Sequence, residues 1–277
     1  MNNSKCYSSE EEFFASYDFQ KFDRPSVAAD IVAFTIRSVE EENYRLCEKN
    51  KLSLLLVKRG EYPFKGNWAL PGGFLRSCET IEECVVRETV EETGIEPSSI
   101  MPVGVFSEVD RDPRGRVISN AFVSVITNGT ENVRGGDDAA DAKWFDVELD
   151  KNEDGLYELR LTNDESALKA LLREDNMPFG TTKFRILDSG TLAFDHASII
   201  AAALSSLRKC IGNFELVFDF LPEKFTLTQL RCVQETVLNV SMLAANFRRK
   251  ASGYVEETDE YITGAGHRPA KLYRKKL

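Results

Sequence analysis

The chain has 277 residues, 42% of them hydrophobic, enough for two cores at roughly 150 residues per domain. Lys and Arg number 35 against 45 Asp and Glu, and the net charge of -10 excludes a protein that coats nucleic acid or membrane with its whole surface. No run of 18 apolar residues exists, and the N-terminus MNNSKCYSSEEEFF has acids where a signal peptide has basic residues, so a cytoplasmic protein without a membrane partner is expected.

Residues 1–24 are polar and acidic with interspersed aromatics, which reads as an extension docking on the fold. Val27 to Ile36 and Leu52 to Val57 are strand-like, and the polar stretch from Glu40 to Lys51 suits a hairpin connection. Further strands are expected at Val103 to Phe106, Val117 to Thr127 and Ala142 to Phe145, separated by turns such as Asp112-Pro113 and Gly135-Gly136-Asp137. One strong helix, from about 80 to 93, interrupts them, so residues 25–150 predict a mixed α/β layer fold. Residues 151–190 read as strand, helix, strand and as an insertion. A helix follows from Asp195 to Leu207, with Asp195 as its cap and Ile199, Ile200, Ala203 and Leu207 as its apolar stripe. Thr226-x-x-Gln229 is a capping box opening a helix with Leu230, Val233 and Val237 inward, and a second helix spans about Ser241 to Ala251, stopped by Gly253. Cys6, Cys47, Cys78, Cys84, Cys210 and Cys232 form no C-x-x-C pair and read as reduced structural thiols.

The helix near 80–93 carries the chemistry. Thr80 with Glu83 forms a capping box and Gly94 stands where a left-handed C-terminal residue is wanted. Glu88 and Glu92 are one turn apart with Glu91 beside them, so three carboxylates share a face, while Ile81, Val85, Val86 and Val90 supply apolar packing. Like charges at these spacings repel by a few tenths of a kcal/mol per pair, so something cationic should bind there. An all-oxygen donor set favours a hard divalent ion, Mg²⁺ or Mn²⁺, and such an ion recruits phosphates. Gly72-Gly73 lets the backbone approach closely.

This stretch resembles the Nudix signature G-x5-E-x7-R-E-U-x-E-E-x-G-U, with Gly73, Glu79, Arg87, Glu88, Glu91, Glu92, Gly94 and Ile95 in register. Thr89 departs from it, standing where the family has an aliphatic residue. The resemblance implies an α/β/α sandwich with a mixed sheet that hydrolyses a nucleoside diphosphate linked to another group. Glu88, Glu91 and Glu92 would hold the metal with the Gly72 carbonyl, while Arg87 and Glu79 would orient the helix carboxylates. The general base stays open among Glu88, Asp137, Asp138 and Asp141.

Arg111, Arg114 and Arg116 lie in one loop where forked donors could clamp phosphates, although a solvated turn of alternating charges would look the same. SEVDRDPRGRVIS and GGDDAADAKWF resemble Nudix enzymes and sensors that handle ADP-ribose, which implies that substrate class. Lys58-Arg59 is a further anion contact at a strand end, and Phe64, Phe106 and Trp144 could stack on a base or pack the core. From Val240 to Leu277, eight basic residues against four acidic ones give a charge of +4 and leave −14 on the rest. That asymmetry is the footprint of a local anionic partner. Asn246, Arg248, Arg249 and Lys250 on a helix, with His267, Arg268 and Lys271 around a hairpin, suit duplex DNA. LAFDHASII, LPEKFTLTQL, NFRRKASGYVEE and GHRPAKLYR resemble Nudix-related transcriptional regulators of NAD metabolism, which implies a winged helix-turn-helix and a homodimer. The expected division is an extension over 1–24, a Nudix domain over 25–208 and a winged helix over 209–277. The favoured reading is an ADP-ribose-type hydrolase fused to a DNA-binding module. The alternatives are a repressor whose Nudix domain binds ligand without cleaving it, and an enzyme whose basic module contacts protein. Retention of Glu88, Glu91 and Glu92 favours catalysis.

Overall fold

Ala28 to Phe34 is apolar except for Asp30, and every residue of the run is buried, which makes β1 (Ser26–Val39) the centre of the sheet. The structure is a computed structural model describing residues 8–39, 49–97, 99–127, 139–176, 182–262 and 269–276. β1 pairs antiparallel with β2 (Lys49–Arg59) and parallel with β6 (Val117–Val125). Two short strands branch off the main path. β3 (Trp68–Ala69) lies on β2, and β4 (Gly72–Phe74) lies on β1. Beyond β6 lies β5 (Met101–Phe106), and beyond β2 the sheet continues through β7 (Ala139–Lys151), β8 (Tyr157–Thr162), β9 (Ala167–Asn176) and β10 (Thr182–Asp188).

The two faces of β1 carry different helices because successive side chains alternate across a strand. Ala29 and Ile31 pack with Cys84 and Val85 of α2 (Ile81–Thr93), while Val32 and Phe34 share a core with Ile199 and Ala203 of α3 (His196–Gly212). The expected α/β/α sandwich with a mixed sheet is therefore present. The same core continues from Leu207 and Ile211 into Leu230, Val233 and Val237 of α4 (Leu227–Leu238) and Phe247 of α5 (Ala244–Ala251). A hairpin of β11 (Val255–Ile262) and β12 (Ala270–Lys275) completes a winged helix-turn-helix. Among the described residues no helix is long and apolar enough to cross a membrane.

Three expectations are corrected. The helix expected within 151–190 is β9, whose Leu168, Ala170 and Leu172 are buried in strict alternation. The Asn163 side chain accepts the amides of Glu165 and Ser166 and folds β8 back onto β9, so tertiary context overrides the helical look of Leu and Ala. Val90 is exposed, and α2 buries Cys84, Val85, Thr89 and Thr93. Asp195 precedes α3 without capping it, because Arg111 takes its carboxylate. Of the N-terminal extension, α1 (Glu10–Ser16) buries no residue.

Candidate active site

Two turns and one helix build the site. α2 is fixed at its start by the predicted capping box, Thr80 Oγ1 accepting from the Glu83 amide at 3.2 Å and Glu83 accepting from the Thr80 amide at 2.8 Å. It ends on Gly94 in the left-handed conformation (φ 71°). Thr89, the departure from the family pattern, is fully buried and donates its hydroxyl to the Val85 carbonyl at 2.6 Å, so the hydroxyl is satisfied within the helix.

The Gly72-Gly73 turn runs against both β1 and α2. At Gly72 (φ 155°) a Cβ would stand 2.3 Å from the Ala29 carbonyl oxygen, and at Gly73 it would stand 2.4 Å from Cδ of Glu88. The glycines are required so that backbone meets backbone on one side and a carboxylate on the other.

Arg87 organises the acids. It donates to both oxygens of Glu79 at 2.9 and 2.7 Å, to Glu88 at 2.6 Å and to Glu91 at 3.0 Å. These hydrogen bonds hold the Glu79 carboxyl down to about 2 and raise Arg87 above its ordinary value. Glu92 sits apart and is the most enclosed of the helix acids. It accepts from the Gly72 amide at 3.0 Å, yet burial pushes its carboxyl up to about 8, with Glu88 and Asp30 adding repulsion. Glu91 is half-exposed and leans toward Arg76, 3.4 Å away.

Glu88 and Glu92 line a cavity of about 500 Å³ with Asp30, Arg59, Arg114 and Phe194. Among the described residues no three His, Cys, Asp or Glu side chains are gathered as a ready-made ion site. The donor chemistry nonetheless fits a divalent cation. Glu88 lies against Gly73, Glu92 is destabilised as an anion by burial and by the charges of Glu88 and Asp30, and the donors that the helix and the glycine turn present are oxygens. Glu88 is the general-base candidate that faces the cavity. Asp141 pairs with Lys143 at 3.1 Å instead, and Asp137 and Asp138 lie outside the described residues.

The predicted anion contacts separate. Arg59 and Arg114 line the cavity and lie over the Phe194 ring at 4.9 and 5.5 Å from its centroid, Arg114 also lying 4.9 Å from that of Phe74. Burial and the Arg114 charge lower the Arg59 pKa. Arg111 reaches the cavity but is buried, its fork held by Asp195 at 2.9 and 2.6 Å and its charge 3.6 Å from Asp30. Arg116 is turned to the Ser107 and Glu108 carbonyls at 2.7 and 3.1 Å and does not line the cavity. Trp144 is buried with Ala33, Leu55 and Ile126, Phe106 packs against the main hydrophobic core, and Phe64 supports Phe194 edge-on at 4.8 Å.

Sequence reasoning missed Asp30, Phe194 and the use made of His196. His196 Nδ1 accepts the Leu70 amide at 2.8 Å, which leaves the proton on Nε2, 3.7 Å from Asp30. Asp30 also accepts from the Ser119 hydroxyl. Burial raises the Asp30 carboxyl and lowers His196 to about 4. The available signal was Asp30 itself, one acid inside an apolar strand.

In the winged helix, Asn246, Arg248 and Arg249 are exposed on α5. Lys250 turns back to donate to the Gly212 carbonyl at 3.1 Å and lies over Phe214 at 5.4 Å. Lys271 pairs with Glu257 across the hairpin, and His267 and Arg268 lie outside the described residues.

A helix of this signature against a mixed sheet defines a Nudix fold, here continued into a winged helix. Comparison with known proteins agrees: the NUDIX domain family matches residues 36–158 and the NrtR DNA-binding winged helix domain matches residues 217–275. The chain is 29% identical over 272 residues to the ADPR responsive transcriptional repressor NtrR of Acinetobacter baylyi, covering 97% of this chain and 89% of that one. It is 44% identical over 123 residues to an ADP-ribose pyrophosphatase of Methanocaldococcus jannaschii, spanning 44% of this chain and 63% of the relative. The crystal structure of a MutT/nudix family protein from Enterococcus faecalis superposes with a TM-score of 0.74 at 30% identity, covering 97% of this chain and 94% of the other. The chain therefore belongs to the MutT/Nudix family and carries an NrtR-type winged helix.

A titration follows from His196. Its depressed pKa means that the unfolded chain takes up a proton below about 6.5 while the folded chain does so only near 4, so the stability it contributes is lost as pH falls through that window. Asp30, raised by burial, acts in the opposite direction. Urea denaturation from pH 7 to 4 should show the wild type losing stability relative to His196→Gln; parallel profiles would place the titration elsewhere.

Proposed function

We propose that the chain hydrolyses ADP-ribose, or a closely related nucleoside diphosphate derivative, to AMP and a sugar phosphate with Mg²⁺ or Mn²⁺, and that its winged helix binds duplex DNA. The observation that carries the reading is the retention of Glu88, Glu91 and Glu92 on one helix beside a glycine turn, with Glu88 and Glu92 opening onto a cavity that also presents Arg59 and Arg114. The similarity to an ADP-ribose pyrophosphatase supports the substrate class, and that to an ADPR responsive repressor supports the pairing with DNA.

A bound divalent ion would lower the pKa of a water and neutralise charge on the phosphoryl oxygens. Glu88, Glu92 and the Gly72 carbonyl would hold it, with Glu91 joining from its half-exposed position. Arg87, fixed by Glu79, aligns Glu88 and Glu91 through direct hydrogen bonds. Arg59 and Arg114 supply positive charge for the diphosphate, and Phe194 beside them offers a ring face. Glu88, beside Gly73, is placed to accept the proton of the attacking water.

Incubation with Mg²⁺ and a panel of ADP-ribose, NAD, NADH and nucleotide sugars, followed by chromatography for AMP, tests the activity. Glu92→Gln is expected to lower the rate by about two orders of magnitude or more with the fold intact; an unchanged rate would reject the assignment.

A second reading, in which the cavity binds ligand without cleaving it, is favoured by the near full-length similarity to the repressor and by Glu91, which pairs with Arg87 and Arg76 and does not line the cavity. Binding without AMP release in the same assay would decide for it. For the winged helix, we propose that Asn246, Arg248 and Arg249 face DNA, with His267, Arg268 and Lys271 at the wing, in a homodimer reading paired half-sites. Arg249→Ala should weaken duplex binding at fixed salt and flatten its salt dependence while leaving turnover unchanged. Unchanged affinity and slope would count against this face.

A further inference from the structure

α3 spans 17 residues, roughly 25 Å, between the cavity and the winged helix. Every residue from His196 to Leu204 is buried, so close-packed neighbours allow the helix a few discrete seats rather than a continuous range.

Its two ends are held by other elements. At the cavity end Asp195 occupies the cap position, but its backbone (φ −97°, ψ 20°) departs from the extended conformation found at the capping residues Thr80 and Thr226. The Asp195 carboxylate serves Arg111, a lining residue of the cavity, in place of its own helix. At the far end, carbonyls that a helix terminus leaves over are taken by the winged helix. Gln234 of α4 donates to the Ile211 carbonyl at 2.7 Å, and Lys250 of α5 donates to Gly212 at 3.1 Å. Arg208 of α3 answers with a bond from Nε to the Val237 carbonyl near the end of α4, 3.1 Å long. Gln234 is fully buried and its Oε1 has no partner, an uncommon arrangement in a core that an apolar residue would fill without loss.

We propose that α3 is the element through which occupancy of the Nudix cavity sets the position of the DNA-reading helices, and that Asp195 is its switch. This rests on the reading that a nucleoside diphosphate enters the cavity and DNA binds the winged helix. A diphosphate competes with Asp195 for Arg111. Once released, the Asp195 side chain turns to cap α3 by accepting from amides of its first turn, two of which now donate to the Ala193 and Asp195 carbonyls, that turn is redrawn, and the carbonyls gripped by Gln234 and Lys250 move with the helix. By reciprocity, DNA holding α4 and α5 disfavours the ligand-bound seat. Lys250, expected from the sequence as a DNA contact, is on this account a tie between α5 and α3.

Amide hydrogen exchange on the full chain with ADP-ribose and EDTA, so that hydrolysis does not intervene, tests the proposal without knowledge of an operator. In the wild type, saturation should change exchange within 227–251 by about fivefold or more, the lower end of usual allosteric coupling. Gln234→Leu, which touches neither cavity nor DNA, should keep ADP-ribose affinity and lose that distant change. Asp195→Asn keeps a capping side chain while releasing Arg111, so without ligand it should already show the exchange pattern of ligand-bound wild type. A wild type that saturates by calorimetry with 227–251 unchanged, a Gln234→Leu chain that transmits undiminished, or an Asp195→Asn chain that resembles ligand-free wild type would each overturn the link. No uptake of ADP-ribose by calorimetry, with EDTA or with Mg²⁺, would overturn the functional reading instead, and the link with it.

Discussion

The contact on which the site depends is the fork of Arg87. One guanidinium spans Glu79 on the loop and both Glu88 and Glu91 on the helix, and without it these three acids within a few turns of chain would repel one another. The fork holds them at close quarters, because charge-assisted hydrogen bonds in a partly buried place offset the mutual repulsion. Glu92 is left outside this arrangement and is the acid whose ionised form is least favoured. A cation arriving between Glu88, Glu92 and the glycine turn would remove the conflict that Arg87 does not reach.

A second set of buried polar groups gathers at the same strand. Asp30, Arg111, Asp195 and His196 form one network, three of whose members also line the cavity, and Ser119 closes it. Buried ion pairs are weak evidence for stability, since desolvation consumes much of their attraction. Their value here is positional: they tie β1, the loop carrying Arg111 and the start of α3 to a single point. Ligand chemistry on one side of β1 and helix packing on the other thus share a strand.

Much of this was legible in the sequence where local rules and spacing act alone. The Thr80 and Thr226 capping boxes and Gly94 as a left-handed stop depend only on residues a few positions apart, and all are present. The outcome differs where distant partners compete. Asp195 is a good cap by type, but Arg111, 84 residues away, has the stronger claim on its carboxylate. The Leu168 to Leu172 run has a composition suited to helix, yet an Asx turn and a neighbouring strand select the extended form. Arg111, Arg114 and Arg116 are equivalent in the sequence, and only the fold separates a buried anchor, a cavity wall and a loop brace. Asp30 and Phe194 carry no motif, so their roles follow from which face of β1 and which turn before α3 they occupy.

The central claim is that the acids of α2 grip a divalent ion against a diphosphate. Electron paramagnetic resonance of Mn²⁺ tests it directly, because the free-ion signal collapses on binding. Addition of the protein with ADP-ribose should remove about one equivalent of free signal, and Glu92→Gln should restore it. A free-ion signal that the wild type leaves undiminished, with or without nucleotide, would contradict the account.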